Sequence, residues 1–349
     1  MHAAMFYGAG DVRWQERPDP TIELPTDAIV RVVATCVCGS DLWSWRGKRP
    51  PGDPRPIGHE FVGVVEEPGK GVTTLSEGDF VIAPFSICDN TCVNCRHGIT
   101  TSCVQAQWWC AQDPDGRQLD GGQGQYVRVP LADGTLVKTP GLPDPAQIPA
   151  LLALSDVLPT GHHAALAAGV GPGKTVAVVG DGAVGLCAVR AAVRLGADRV
   201  IAFSSHTDRQ EIATRFGADD IVSERGEDGA AAVRDLLADQ GADCVLECVG
   251  TESAMNQAVA TVRPGGKIGY VGAPVGGSQL PIGKMFSGNI FVGGGVAPAR
   301  SYIPELLTEV LAGTLDTSAI FDLRLPMDQV ADAYAAMDER RSVKTLLWP

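Results

Sequence analysis

The chain has 349 residues, 45% of them apolar and 20% charged, which is the composition of a globular protein long enough for two cored domains. Its net charge of −13 argues against nucleic acid and against an anionic membrane surface as partners. No run approaches the ~18 apolar residues of a membrane span, and the opening MHAAMFYGAGDVRW lacks the basic and apolar regions of a signal peptide.

Over roughly the first 140 residues, short alternating apolar runs are punctuated by Gly and Pro, the pattern of a β-rich domain with long loops. The runs Ala28 to Ala34, Phe61 to Glu66, Asp79 to Pro84 and Gln125 to Val129 are the expected strands. Cys38-Gly39-Ser40-Asp41 follows the first of these, and Gly58-His59-Glu60 opens the second. A thiolate, an imidazole and a carboxylate brought together suit Zn²⁺ with an open fourth position. Farther on, Cys92, Cys95 and Cys103 share a loop rich in Asn, Thr and Gly. Three cysteines at that spacing in a reduced protein point to a structural zinc. Ten cysteines in a large chain of this kind read as thiols and metal ligands, which places the protein in the cytoplasm.

From about Leu151 the texture becomes alternating strands and helices, the signature of a parallel, doubly wound sheet. The expected strands are VAVVG at 176–180, Arg199 to Phe203, Asp220 to Ser223, Asp243 to Glu247, Lys267 to Val271 and Asn289 to Val292. Helical spacing marks Leu186 to Leu195, Asp208 to Phe216, Ala230 to Asp239 and Tyr302 to Ala312, and Val343 to Trp348 reads as a returning strand. Between the first strand and its helix lies Gly180-x-Gly182-x-x-Gly185, with Ala183 and Val184 as the intervening pair. The first glycine permits the tight turn, the second admits a pyrophosphate to the backbone, and the third lets helix and strand pack closely. A dinucleotide is expected there. The residue that would bind the ribose hydroxyls of NAD, at the end of the second strand, is Ser204 and not an acid. Ser205, His206 and Arg209 follow with hydroxyls and positive charge suited to a 2′-phosphate, so NADP is favoured over NAD. Arg209 has a plainer reading as a surface residue paired with Asp208 or Glu211.

The elements VCGSDL, GHEFVGVV, GDFV, CVNC with Cys103, the glycine unit and RSVKTLL come in an order and spacing that resembles the zinc-dependent medium-chain dehydrogenase/reductases, the alcohol dehydrogenase superfamily. The resemblance covers essentially the whole chain. It implies an α/β architecture. A GroES-like β-rich catalytic domain would span 1–150 with a return at 297–349, and a Rossmann domain 151–296, with the active site in the cleft between them. It also implies a homodimer or homotetramer paired through the sheet edge near Asn289 to Val292.

The resemblance makes Cys38 and His59 catalytic zinc ligands and places Asp156 where the family carries a third, cysteine ligand. Glu60 is the rival for that role. Counting back from Cys92 by the family's spacing puts Asp89 in the first position of the structural lobe, with Cys88 one residue off register as the alternative. Ser40 matches the hydroxyl that takes the substrate proton. The relay histidine three residues later is replaced by Trp43, so the proton leaves by ribose hydroxyls, water or another group, or the enzyme runs chiefly as a reductase. Trp43 and Phe85 are expected to wall the substrate pocket, with Trp108 and Trp109 as further candidates, and Asp41 to brace the ligand loop. Thr160 matches a threonine near the nicotinamide, and Lys344 a basic residue reaching the pyrophosphate. The expected reaction is hydride transfer between NADP(H) and a small medium-length or aromatic alcohol/carbonyl pair. A sugar or polyol dehydrogenase, a reductase of a polarised C=C or C=N bond, and a non-catalytic nucleotide-sensing relative are the competing readings.

Overall fold

In the computed structural model, which describes residues 1–48, 54–274 and 280–349, the β-branched run at the front of the chain forms the nine-residue strand Ala28–Cys36. The chain divides into two compact units, Met1–Asp156 with Pro298–Pro349, and Val157–Ala297. The first unit thus runs on to Asp156 where a boundary at 150 was expected, and Asp156 shares a unit with Cys38 and His59.

In the first unit, Ala28–Cys36 pairs antiparallel with Phe61–Pro68 on one side. On the other side it carries Tyr126–Val129 along its first half and Thr345–Trp348 at its end. Phe80–Ala83 extends the sheet beyond Phe61–Pro68, and Leu323–Pro326 extends it beyond Thr345–Trp348. Val30, Val32, Phe61, Val65, Val81, Leu119, Val127 and Tyr334 fill the core against these strands. The expected tail strand is present, beginning at Thr345, and the tail also supplies the helix Val330–Asp338.

This core also encloses an ion pair. Asp27 and Arg128 are 0% and 4% exposed, with Arg128 Nη1 3.0 Å from Asp27 Oδ2. The same carboxylate oxygen accepts from the Leu24 N–H at 2.9 Å. Removing one partner leaves the other buried without compensation, which typically costs about 3–5 kcal/mol. Arg128→Met is therefore expected to destabilise the protein by about that amount, read as a lower urea midpoint at unchanged slope.

The second unit is a six-stranded, all-parallel sheet. Its order is Asp220–Val222, Arg199–Phe203, Thr175–Val179, Ala242–Glu247, Val262–Tyr270 and Phe291–Gly294. Both faces of such a sheet are covered, so the inner strands read as continuous apolar runs, and Val176–Val179 are all buried. The chain reverses direction across the sheet between Thr175–Val179 and Ala242–Glu247, the place where ligands bind in doubly wound folds. Two expected boundaries move. Asn289 adopts φ +51° and closes the helix Ile282–Gly288, so the last strand begins at Phe291 and not at Asn289. Ala238 and Asp239 also have positive φ, so their helix spans Gly226–Leu236 and stops short of Asp239.

Candidate active site

Strand pairing builds the first site. Thr35 lies opposite Phe61, so the residues just after the first strand meet those just before the second. Cys38 and His59-Glu60 are those residues. Asp156 arrives from the turn after the helix Ile148–Ala153, which the Phe85 N–H holds through the Ser155 carbonyl at 3.0 Å. Cys38 Sγ, a His59 nitrogen and one oxygen each of Glu60 and Asp156 all lie within 4.8 Å of one another.

The orientation of each group is set by its neighbours. His59 Nε2 is 3.5 Å from Asp156 Oδ2, and Nδ1 is 3.4 Å from Asp41 Oδ1. Asp41 Oδ2 accepts from the Cys38 N–H at 3.0 Å, so this one carboxylate steadies both the imidazole and the cysteine loop. Asp156 Oδ2 is also 3.6 Å from Cys38 Sγ. Ser40 directs its hydroxyl at that sulfur, 3.3 Å away. Burial, then the charges of Glu60 and Asp156, push the Cys38 thiol up. Burial alone would lower His59, but Asp41 and Cys38 raise it well above the ordinary imidazole value. Three acidic groups at this separation repel one another as anions, and a cation among them removes that repulsion.

Lys344 finds its partners within the first unit. It is 1% exposed, with Nζ 2.7 Å from Glu60 Oε1 and 3.2 Å from the Val37 carbonyl. Its ammonium is committed to a buried carboxylate. Burial pushes the Glu60 carboxyl up and Lys344 pulls it back. The other Glu60 oxygen accepts from the Cys36 thiol at 3.3 Å. The sequence alone does not mark Cys36, which ends the strand that leads into Cys38.

Among the aromatic candidates, Phe85 stacks on the exposed Trp108 with ring centroids 6.2 Å apart. Trp43 is half-buried on the short helix Asp41–Trp45. Trp109 is a core residue and not a pocket wall. Its Nε1 donates to the Pro84 carbonyl at 2.9 Å, and its ring packs edge-on against Phe61.

The second cluster gathers Asp89, Cys92, Cys95 and Cys103, whose ligand atoms again lie within 4.8 Å of one another. Backbone N–H groups of Asp89 and Gln105 point at Cys103 Sγ from 3.3 Å. The N–H groups of Thr91 and Cys92 point at Asp89 Oδ1 from 2.8 and 2.9 Å. Although burial raises Asp89, those two backbone donors, with hydrogen bonds from the Cys95 and Cys103 side chains, bring it down to about 2. Cys88 stands outside the cluster, its thiol turned to the Gly134 carbonyl at 3.6 Å and raised by burial to about 11.

In the second unit, Gly180 has φ +116° at the end of Thr175–Val179, and the helix Ala183–Arg194 begins three residues later. A Cβ on Gly185 would sit 1.8 Å from the Gly180 carbonyl oxygen, so only glycine lets helix and strand close. Ala183 and Val184 are the first two helical residues. At the neighbouring strand end, Ser204 Oγ donates to Asp181 Oδ2 at 2.9 Å. Arg209 pairs with Asp181 at 3.1 Å, and with neither Asp208 nor Glu211. Ser205 Oγ accepts from Arg225 Nη2 at 2.9 Å, and His206 caps the helix Thr207–Arg215. Arg225 was not read from the sequence. It follows the strand Asp220–Val222, the parallel neighbour of Arg199–Phe203, which is the cue that locates it. Thr160 is nearly buried on the helix Val157–Ala168.

Two cysteine-bearing donor clusters in one unit and a glycine turn between strand and helix in the other are the features of a zinc-type dehydrogenase. The comparisons agree. Residues 24–141 match the alcohol dehydrogenase GroES-like domain, and residues 183–312 the zinc-binding dehydrogenase domain. The chain belongs to the zinc-dependent medium-chain dehydrogenase/reductase family and is an oxidoreductase of the alcohol dehydrogenase type. It is similar to a probable zinc-binding alcohol dehydrogenase of Mycobacterium tuberculosis, with 35% identity over 97% of this chain and 86% of that protein. Zinc-type alcohol dehydrogenase B of Aspergillus flavus shares 31% identity over 99% of this chain and 81% of its own. Among solved structures, alcohol dehydrogenase TADH from Thermus sp. ATN1 superposes with a TM-score of 0.90 at 33% identity, covering 100% of this chain and 99% of that one. Among the described residues no helix is long and apolar enough to cross a membrane.

Proposed function

We propose that the chain transfers a hydride between NADP(H) and a small alcohol/carbonyl pair, medium-length or aromatic, with Cys38, His59 and Asp156 holding the catalytic zinc. The observation that carries this reading is the cluster of thiol, imidazole and two carboxylates within 4.8 Å. Its donors fit the ion, since one sulfur, one nitrogen and a carboxylate oxygen are an ordinary zinc set. Asp156 is preferred to Glu60 as third ligand on geometric grounds. Its Oδ2 faces both Cys38 Sγ and His59 Nε2, whereas both Glu60 oxygens accept from Lys344 and Cys36. When bound, zinc acts as a Lewis acid that lowers the pKa of a substrate hydroxyl.

The chain's own groups do the rest. Ser40 Oγ borders the donor set and would take up the substrate proton, and Trp43 offers no onward relay for it. Asp41 fixes the His59 ring, and Phe85 with Trp43 supplies apolar walls that favour apolar substrates over polyols. Asp89, Cys92, Cys95 and Cys103 would hold a structural zinc, and the backbone donors around Asp89 and Cys103 suit anionic ligands there. NADP is preferred because the end of Arg199–Phe203 carries Ser204 where a carboxylate would repel the 2′-phosphate. The chain works as a homodimer or homotetramer. Phe291 on the edge strand of the parallel sheet is 61% exposed, and Ile282 and Phe286 on the helix that precedes it are 61% and 86% exposed, apolar surface that a second copy would cover. All ten cysteines are free thiols, which suits the cytoplasm.

The test is initial-rate kinetics with NADPH and NADH against aliphatic and aromatic aldehydes, with zinc measured on the same sample. NADPH-linked reduction with about two zinc ions per chain is the expected result. Tight nucleotide binding without carbonyl turnover would overturn the reading in favour of C=C or C=N reduction or a sensing role.

A further inference from the structure

We infer that Arg225, and not Arg209, is the cation that selects the 2′-phosphate, because Asp181 already neutralises Arg209. This rests on the NADP reading and assigns its specificity to Arg225, outside the fingerprint, and to the charge balance between Arg209 and Asp181 of the glycine turn. Thr175–Val179, Arg199–Phe203 and Asp220–Val222 are adjacent and parallel, so their C-terminal ends lie along one edge of the sheet. Gly180 to Gly182, Ser204 with Ser205, and Arg225 follow those three ends in turn.

Asp181 joins the first two. Its carboxylate takes the Ser204 hydroxyl at 2.9 Å on one oxygen and Arg209 Nη1 at 3.1 Å on the other, and Arg209 Nη1 also reaches the Asp181 carbonyl at 3.5 Å. Both side chains are mostly covered, at 16% and 12% exposed, so the pair is shielded and sums to zero charge. Arg225 differs on each count. It is exposed, and among the described residues it is paired with no carboxylate. Its partner is the hydroxyl of Ser205, also exposed, at 2.9 Å. A guanidinium beside a serine hydroxyl offers several N–H donors and one O–H donor to a phosphate monoester, the geometry for which arginine is suited. Of the positive charges at this sheet edge, Arg225 is thus the one left uncompensated, and Asp181 sets how much Arg209 can add.

The experiment compares adenosine 2′,5′-bisphosphate with 5′-AMP by calorimetry, since the two differ only in the 2′-phosphate and neither requires turnover. Arg225→Gln is expected to weaken the bisphosphate by roughly ten- to a hundredfold while leaving 5′-AMP unchanged, the loss of one charge-assisted contact. Asp181→Asn frees Arg209 and is expected to tighten the bisphosphate selectively. The double variant Asp181→Asn with Arg209→Gln removes a neutral pair and should leave the selectivity near that of the unaltered protein. Because Arg225 is exposed, unchanged thermal melting of Arg225→Gln confirms that the fold is intact. The inference is overturned if Arg225→Gln keeps full selectivity, or if the double variant loses as much as Arg225→Gln does. Equal affinity of the unaltered protein for both nucleotides overturns the NADP reading and this inference with it.

Discussion

Replacing Asp156 by alanine is expected to strip the catalytic zinc, lowering metal content from about two ions per chain to about one. Activity should fall by more than the roughly 10–100-fold that loss of an outer partner costs, because a direct ligand is removed. The argument is positional. Asp156 Oδ2 faces Cys38 Sγ and His59 Nε2 at 3.6 and 3.5 Å, and Glu60 is tied back by Lys344 and the Cys36 thiol. Asp156→Cys should restore both metal and turnover, since a thiolate supplies the same charge to the same place. Zinc analysis and kcat on the three proteins decide the matter. Full metal and activity in Asp156→Ala would hand the third position to Glu60.

Gly185→Val should disable the second unit outright. Its Cβ would fall 1.8 Å from the Gly180 carbonyl oxygen, and both are backbone-anchored, so neither yields as a flexible side chain would. Overpacking usually costs about 1–3 kcal/mol, and a backbone clash belongs at or beyond the top of that range. A lower melting temperature and loss of nucleotide fluorescence enhancement are the expected readings. Gly182→Ala separates fold from binding, because an added Cβ there meets nothing within 4 Å. That variant should melt normally yet bind the dinucleotide weakly, as the methyl stands where the pyrophosphate approaches. Equal damage by the two substitutions would refute the division of labour among the glycines.

How much of this was legible in the sequence depended on the range of the contact. Strands such as Arg199–Phe203 have their limits written in a local run of apolar residues, and the structure reproduces them. Cys38 and His59 were legible because each flanks a strand of its own. Asp156 was reached only through its family position before Thr160 and Gly161. What escaped reading was set by partners distant in the chain. Lys344 meets Glu60 across 284 positions, and no local pattern says that its ammonium turns inward. Arg225 sits in a polar stretch just past Asp220–Val222, and only parallel pairing lays that strand end beside Arg199–Phe203. Trp109 looked like half of an aromatic pair until burial separated it from Trp108. Apolar neighbours make Asn289 look like the start of a strand, while its left-handed backbone ends a helix.

The strand Thr345–Trp348 has a consequence for the order in which the chain assembles. Lys344 bonds to the Val37 carbonyl 307 positions upstream, and Leu346 pairs with Cys36. The unit Val157–Ala297 is continuous, so on the ribosome it has every one of its strands in hand before the other unit has its tail. Contacts of such sequence separation are the slow ones to form. The nascent chain should therefore pass through a species with a closed nucleotide fold and an open metal domain. In that interval the unpaired edge of Ala28–Cys36 and the thiols beside it are exposed to oxidation and to chaperones.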